Sequence, residues 1–276
     1  MKEVFLIASI TFREALRRKV WLWVIIIVVG LVLIDWVFTL TPRDTRFSLA
    51  NNADPRVMFA QYFGRALILF FASIIAVVLG ASQITAELDR GVLATILPKP
   101  VSRLQVFLGK WLGIIACSDL VVVAAFMLNW VALALIYGLH SGVTFNVMTL
   151  GVMLLYPVLY GTLTMAWSSF ANMVVALMLT ATLYAVTWIG DTIVVAIARA
   201  TQNEMLQKAQ VLSTWVIPHA RLSSWLSAVD VDFVTQMQGR LGMPSVCSLW
   251  DKTYVILYVV FFFAGSYFVF SKRDVQ

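Results

Sequence analysis

A chain of 276 residues that is 61% hydrophobic and 12% charged, with a mean hydropathy of +0.90, is not a soluble globular domain, where charged residues make up roughly a quarter. Its repeated apolar runs point to one membrane domain over 1–276 rather than two soluble ones. The net charge of +6 does not argue for nucleic acid, because Arg13, Arg17, Arg18 and Lys19 abut the first apolar run, where they meet anionic headgroups and set topology.

Residues 1–19 place Val4, Ile7 or Ala8, Thr11 and Ala15 on one helical side and Arg13, Glu14, Arg17 and Arg18 on the other. No small-residue cleavage site follows the next apolar run, so an amphipathic helix in the membrane interface is expected. The first span is 20–40, about 21 residues against the ~20 that cross a ~30 Å core. Trp21, Trp23 and Trp36 stand near its ends, as interfacial aromatics do. A polar segment, 41–56, leads to a second span over 63–82, with Arg65 at its outer end placed to snorkel. Further spans are expected at 111–137, 147–167, 174–198 and 254–270. The short links 138–146 and 168–173 make their flanking spans antiparallel neighbours. Six spans put both termini on one side. The N-terminus, 85–110 and the C-terminus hold about 11 Lys and Arg and the opposite pieces about 9, which makes both termini cytoplasmic.

Inside the spans, Gly109-x-x-x-Gly113 and the small residues Gly161, Thr162, Thr164 and Ala166 allow close helix approach. Pro157 should kink the fourth span, since its missing N–H leaves a carbonyl free. Asp35, Asp119 and Asp191 fall within apolar runs, where a charge costs at least ~2.5–3.5 kcal/mol and needs a partner, a proton or water. Asp119 lies about 13 Å inward from Lys110 by helical rise. With Asn129 it could line an aqueous path or make an interhelical hydrogen bond. The segment 199–252 is too long to be a bare loop. After Pro218, Leu222, Trp225, Leu226, Val229 and Phe233 repeat at helical spacing, with His219, Arg221, Ser224, Ser227 and Asp230 between them. That pattern predicts a helix on the outer leaflet, a lid over the spans, or a packed helix with no role beyond covering the bundle.

Catalytic chemistry is not expected. There is no Gly-x-x-x-x-Gly-Lys-Ser/Thr phosphate loop and no His-Glu-x-x-His. His140 and His219 are the only histidines; both fall outside the expected spans, so neither a metal, a cofactor nor an intramembrane nucleophile–base pair is supported. Cys117 lies within a span and Cys247 in the outer segment, too far apart to bridge, so Cys117 reads as a small apolar residue.

The charged island 85–110, TAELDRGVLATILPKPVSRLQVFLGK, organises the chain. Glu87 and Asp89 suit the start of a short helix, where backbone N–H groups are unpaired. Leu88, Val92 and Ile96 form one apolar stripe. Pro98 and Pro100 break the helix, and the chain re-enters the membrane through Arg103 and Lys110. A chain without its own energy source would offer such an element to a soluble partner.

In Glu87, Arg90, Gly91, Leu93, Leu97, Pro98, Pro100, Val101, Ser102, Arg103, Gly109 and Lys110 this island resembles the first cytoplasmic loop of ABC-2 type transporter permeases. The basic amphipathic N-terminus, about six spans and short basic C-terminus are similar to that family as well. The long segment before the last span departs from its commoner pattern. The resemblance implies an all-α polytopic bundle in the inner (cytoplasmic) membrane with an N-terminal interfacial helix and a cytoplasmic coupling helix. It implies the membrane subunit of an ATP-driven exporter. Two copies of a separate ABC ATPase would dock on the coupling residues Glu87, Arg90, Gly91, Leu93, Leu97, Pro98, Pro100 and Arg103, and a second permease subunit, identical or different, would complete the assembly. A passive channel or scaffold is the competing reading, but channels need a ring of polar groups and these spans offer only scattered acids.

Overall fold

Helix formers without an internal breaker give this chain helices longer than its apolar runs. A computed structural model describes residues 2–17, 20–40, 55–89, 102–138, 145–189, 205, 215–229 and 248–272. In chain order its helices are α1 (Lys2–Arg17), α2 (Val20–Thr39), α3 (Pro55–Asp89), α4 (Arg103–Tyr137), α5 (Val147–Met153), α6 (Leu155–Ser168), α7 (Met173–Ile189), α8 (His219–Val229) and α9 (Leu249–Lys272). No strand occurs among the described residues. The protein is an all-α polytopic membrane bundle. Among the described residues, four stretches are long and apolar enough to cross a bilayer: Phe59–Ser82 within α3, α4, α5 with α6, and α9. The apolar α2 and α7 add 20 and 17 residues, about 30 and 26 Å of helix.

α3 and α4 each run for 35 residues, about 52 Å, and so outreach a ~30 Å hydrocarbon core. They are antiparallel: Asn129, late in α4, packs on Gly64, early in α3. The start of α4 is fixed by a capping box, in which Gln105 N–H donates to Ser102 Oγ (3.2 Å) and Ser102 N–H donates to Gln105 Oε1 (2.9 Å), satisfying donors with no intrahelical partner. Its end is set by Gly138 at φ 82°, a conformation only glycine takes freely. The fourth span breaks at Leu154 between α5 and α6. Pro157 has no N–H to give to the Met153 carbonyl four residues back, which accounts for the expected kink.

Small residues bring the helices together where the sequence places them. A Cβ on Gly109 would lie 2.7 Å from Ile7 Cβ, and one on Gly113 2.6 Å from Thr11 Cβ, so α1 sits directly on the first turns of α4. The predicted side of α1 makes this contact, burying Thr11 and Ala15, while Phe5, Leu6 and Ile10 stay exposed beside Arg13 and Arg17. That face suits a membrane interface. Gly80 of α3 also meets α6 closely: an added Cβ would lie 3.1 Å from both Gly161 O and Thr164 Cβ. Ile68, Ala72, Ile114, Val122, Leu159 and Tyr160 of α3, α4 and α6 belong to one buried core, and Phe107 of α4 packs on Phe263, Tyr267 and Phe270 of α9.

Two expectations change. Glu87 and Asp89 do not open a separate helix; they close α3, because no glycine or proline stands between Gly80 and Gly91. Arg65 does not stand at the end of its helix, since α3 begins ten residues before it, at Pro55, and the residue is buried at 7% exposure.

Candidate functional site

The structure gives the bundle two chemically different ends. At one, Arg103 Nη1 donates to the carbonyl of Ser271 in the last turn of α9 (2.7 Å). Such a cation on the last carbonyls of a helix is favoured by its dipole. α1 docks on Gly109 and Gly113 a few turns further along α4, and the α6–α7 turn also lies at this end, where Ser169 and Phe170 line a groove with Phe268 and Lys272. The N-terminal helix, the root of the predicted coupling stretch and the end of α9 therefore share one end of the molecule.

Of the residues predicted for coupling, Glu87 lies in the last turn of α3 and Arg103 opens α4. Arg90, Gly91, Leu93, Leu97, Pro98 and Pro100 lie outside the described residues. Arg103 is half-buried and tied to α9 rather than displayed for a partner.

Asp119 and Asn129 are not brought together. Ten residues on one helix separate them by about 15 Å and about 80° of rotation. Asn129 is in the core at 5% exposure, its amide 2.9 Å from where a Cβ on Gly64 would stand. Asp119 is half-buried beside the exposed Ala116 and Leu120. Each keeps one buried oxygen without a hydrogen-bond partner, Asp119 Oδ1 and Asn129 Oδ1, a state that calls for water or a ligand group. Asp35 lies in the last turns of α2, whereas Asp191, like Asp230, Phe233 and Cys247, falls outside what is described. Cys117 is fully buried with a free thiol.

The opposite end carries a cluster that the sequence reading missed. α8 forms over the predicted stripe, and Leu222, Trp225, Leu226 and Val229 pack on the core. α8 is packed against the spans, as a helix covering the bundle would be. Its end is tied to the start of α5 by Asn146 Nδ2 donating to Val229 O (2.9 Å), whereas its start reaches Tyr160 on α6, fourteen residues or about 21 Å further along. The helix thus enters the bundle antiparallel to α5 and α6.

His219, expected on a polar face, is 7% exposed. Its Nδ1 is 2.8 Å from Tyr160 Oη, and that hydroxyl is 3.5 Å from Thr187 Oγ1 on α7. The rings of Tyr156 and Tyr184 meet the imidazole edge to face at 5.6 and 6.0 Å. Arg221 turns the other way: its guanidinium lies 4.6 Å from the Trp215 ring and 4.3 Å from the Tyr254 ring, with Nη1 3.0 Å from Asp251 Oδ1. Tyr258 Oη donates to Val216 O (3.0 Å), closing the contact between α9 and the residues just before α8.

The sequence did hold a signal for this cluster. Tyr156, Tyr160 and Tyr184 lie within apolar runs, and a buried phenol needs a polar partner. Among the described residues no three of His, Cys, Asp and Glu gather as a metal would require.

Over residues 5–275 the chain matches the model of a family described as ABC-2 family transporter protein. No curated protein matches it.

Proposed function

Because the chain belongs to the ABC-2 transporter family, and is therefore a multi-pass membrane permease and not itself a catalytic subunit, we propose that it couples ATP hydrolysis by a separate ATPase to export of a substrate. The observation that carries this reading is the mechanical root of the 85–110 stretch. Arg103 joins the start of α4 to the end of α9, and α1 is seated on Gly109 and Gly113 of the same helix. A push on the residues before Arg103 would reach α1, α4 and α9 at once.

In this proposal Leu93 and Leu97 are the apolar anchors in a groove of the ATPase. Glu87 and Arg90 give the contact its charge pattern, which governs recognition more than raw affinity. Gly91, Pro98 and Pro100 set where the element turns. Arg103 acts behind them, passing the motion to α9. Two ATPases and a second permease, identical or different, complete the assembly. The end bearing α1, Arg103 and Lys272 faces the cytoplasm of the cell's inner membrane, in keeping with its share of Lys and Arg. The substrate passes by Asp119 and Asn129, whose unpartnered oxygens are available to polar groups or water.

Purification from native membranes tests the proposal: an ABC ATPase co-purifying with the chain supports it, and a chain that comes alone while fully folded favours the passive channel or scaffold. Sidedness is checked separately. A cysteine at Ser102 should react with an impermeant reagent only from the cytoplasm and Cys247 only from outside; labelling of position 102 in intact cells would reverse the orientation.

A further inference from the structure

Two membrane-crossing stretches end side by side at the α1 end of the bundle. α6 closes at Ser168 and α9 at Lys272, and each is the last residue of a stretch long and apolar enough to cross a bilayer. Between them runs a groove of about 380 Å³, with Ser169 and Phe170 on one wall and Phe268, Val269 and Lys272 on the other. A groove at the ends of two spans lies where hydrocarbon gives way to headgroups. Its apolar walls are open: Phe170 is 54% exposed, Phe268 57% and Val269 37%. Lys272 is exposed as well, and its Nζ stands 4.2 Å from the centre of the Phe268 ring. Beside the groove, Trp167 meets Phe170 edge to face at 5.3 Å. Its buried Nε1–H has no hydrogen-bond partner among the described residues, whereas interfacial tryptophans ordinarily give that proton to a polar group or water.

We propose that this groove binds an anionic phospholipid of the leaflet at the α1 end, with its phosphate on Lys272 and an acyl chain along Phe170, Phe268 and Val269. The order of the residues selects such a molecule. Val269 and Phe268 stand three and four residues before Lys272, about 4.5 and 6 Å deeper along α9. An occupant that meets all three has a charged end at the surface and an apolar body below it. The side chains lining the groove carry one positive and no negative charge, and basic pockets between spans hold anionic headgroups. The volume is that of a small-ligand cleft. A soluble partner would have to reach Phe268 and Val269 within the apolar length of α9.

Apolar walls alone would take any lipid, so the cation is what discriminates among them. Lysine meets phosphate as a compact point charge on a flexible stem. Lys272 also follows Ser271, whose carbonyl accepts from Arg103, so the lipid sits beside the junction of α4 and α9. Because it binds the folded chain, it also raises the melting temperature.

Native mass spectrometry of the full chain in detergent, with equal amounts of palmitoyl-oleoyl phosphatidylglycerol or phosphatidylcholine added, reads the site. One saturable adduct is expected, about fivefold more populated with phosphatidylglycerol, the step a single cation gives at an anionic lipid surface. Phosphatidylglycerol should also raise the melting temperature more than phosphatidylcholine does. Lys272→Gln should abolish the preference and keep the lipid-free melting temperature, since that side chain is exposed. Lys252→Gln removes the same charge near the other end of α9 and should leave the preference intact. Phe268→Ser should lower the adducts of both lipids. Equal adducts of the two lipids on the unaltered chain overturn the proposal. So does a preference that survives Lys272→Gln, or one lost equally in Lys252→Gln, which would make it an effect of net charge. Undiminished adducts in Phe268→Ser would remove the acyl seat. Should Lys272→Gln spare the lipid preference and weaken binding of the candidate ATPase, the groove is a protein dock and the lipid site is refuted.

Discussion

The two ends of this bundle are fastened by opposite means. At the α1 end, glycines let one helix lie against another with no room for a methyl group: Gly113 faces Thr11 at 2.6 Å and Gly109 faces Ile7 at 2.7 Å from an added Cβ. At the α8 end, a short helix is held by side-chain ties, His219 to Tyr160 and Arg221 to Asp251. Backbone-close packing has many small contacts and no single point of release. Polar ties concentrate the hold in a few groups.

The largest test of that contrast is Gly113→Leu. Its side chain has no space against Thr11 and the Ala8 carbonyl, so α1 should detach at a cost of about 1–3 kcal/mol or more, read as a fall in melting temperature and new protease cleavage in α1. Gly151→Leu, where an added Cβ meets nothing within 4 Å, should leave the melting temperature unchanged, and equal losses from the two would mean α1 is not seated by close packing. Trp225→Asp is expected to rank next. It sets a charge on the face of α8 that packs on the core, destabilising by about 1–2 kcal/mol, while Ser224→Asp should be tolerated; matched effects would undo the assignment of faces. Arg221→Gln removes the ion pair and the ring contacts, and should loosen α8 by roughly 1 kcal/mol without altering the α1 end, as hydrogen exchange over 219–229 would register. Smallest is Trp111→Phe, which deletes the 2.8 Å hydrogen bond from Nε1 to Thr162 Oγ1 at about 0.5–1.5 kcal/mol.

What could be read from the sequence follows the same division. Contacts made by residue size alone were legible: Gly109, Gly113, Gly161 and Thr164 marked close approaches before any partner was known, and Pro157 marked its break, because a missing Cβ or N–H has the same consequence in any surroundings. The stripe Leu222 to Val229 also predicted its helix. Residues whose meaning depends on a distant partner were misplaced. His219 and Arg221 looked like a solvated face, since periodicity ranks them as polar and cannot see Tyr160 or Asp251 across 59 and 30 positions. Arg65 looked terminal because the apolar run begins near it, although the helix starts at Pro55. Asp119 and Asn129 were grouped by chemistry, but helical rotation holds them apart. Glu87 and Asp89 were assigned to a helix start by their charge, whereas uninterrupted helix formers carry α3 through them.

The coupling element stands between these two behaviours, joined to the bundle through Arg103 and Ser271 and proposed to be gripped by Leu93 and Leu97. Each leucine would contribute about 1.5–3 kcal/mol if fully buried in the ATPase, and neither is needed by the membrane core if the element lies outside the bilayer. The direct measurement is ATP hydrolysis by the reconstituted complex with the Leu93→Ser/Leu97→Ser chain, alongside binding of the ATPase to it. Normal membrane insertion with loss of both ATPase binding and substrate-stimulated turnover is the predicted result. Full binding and full stimulated turnover in that double variant would contradict the account.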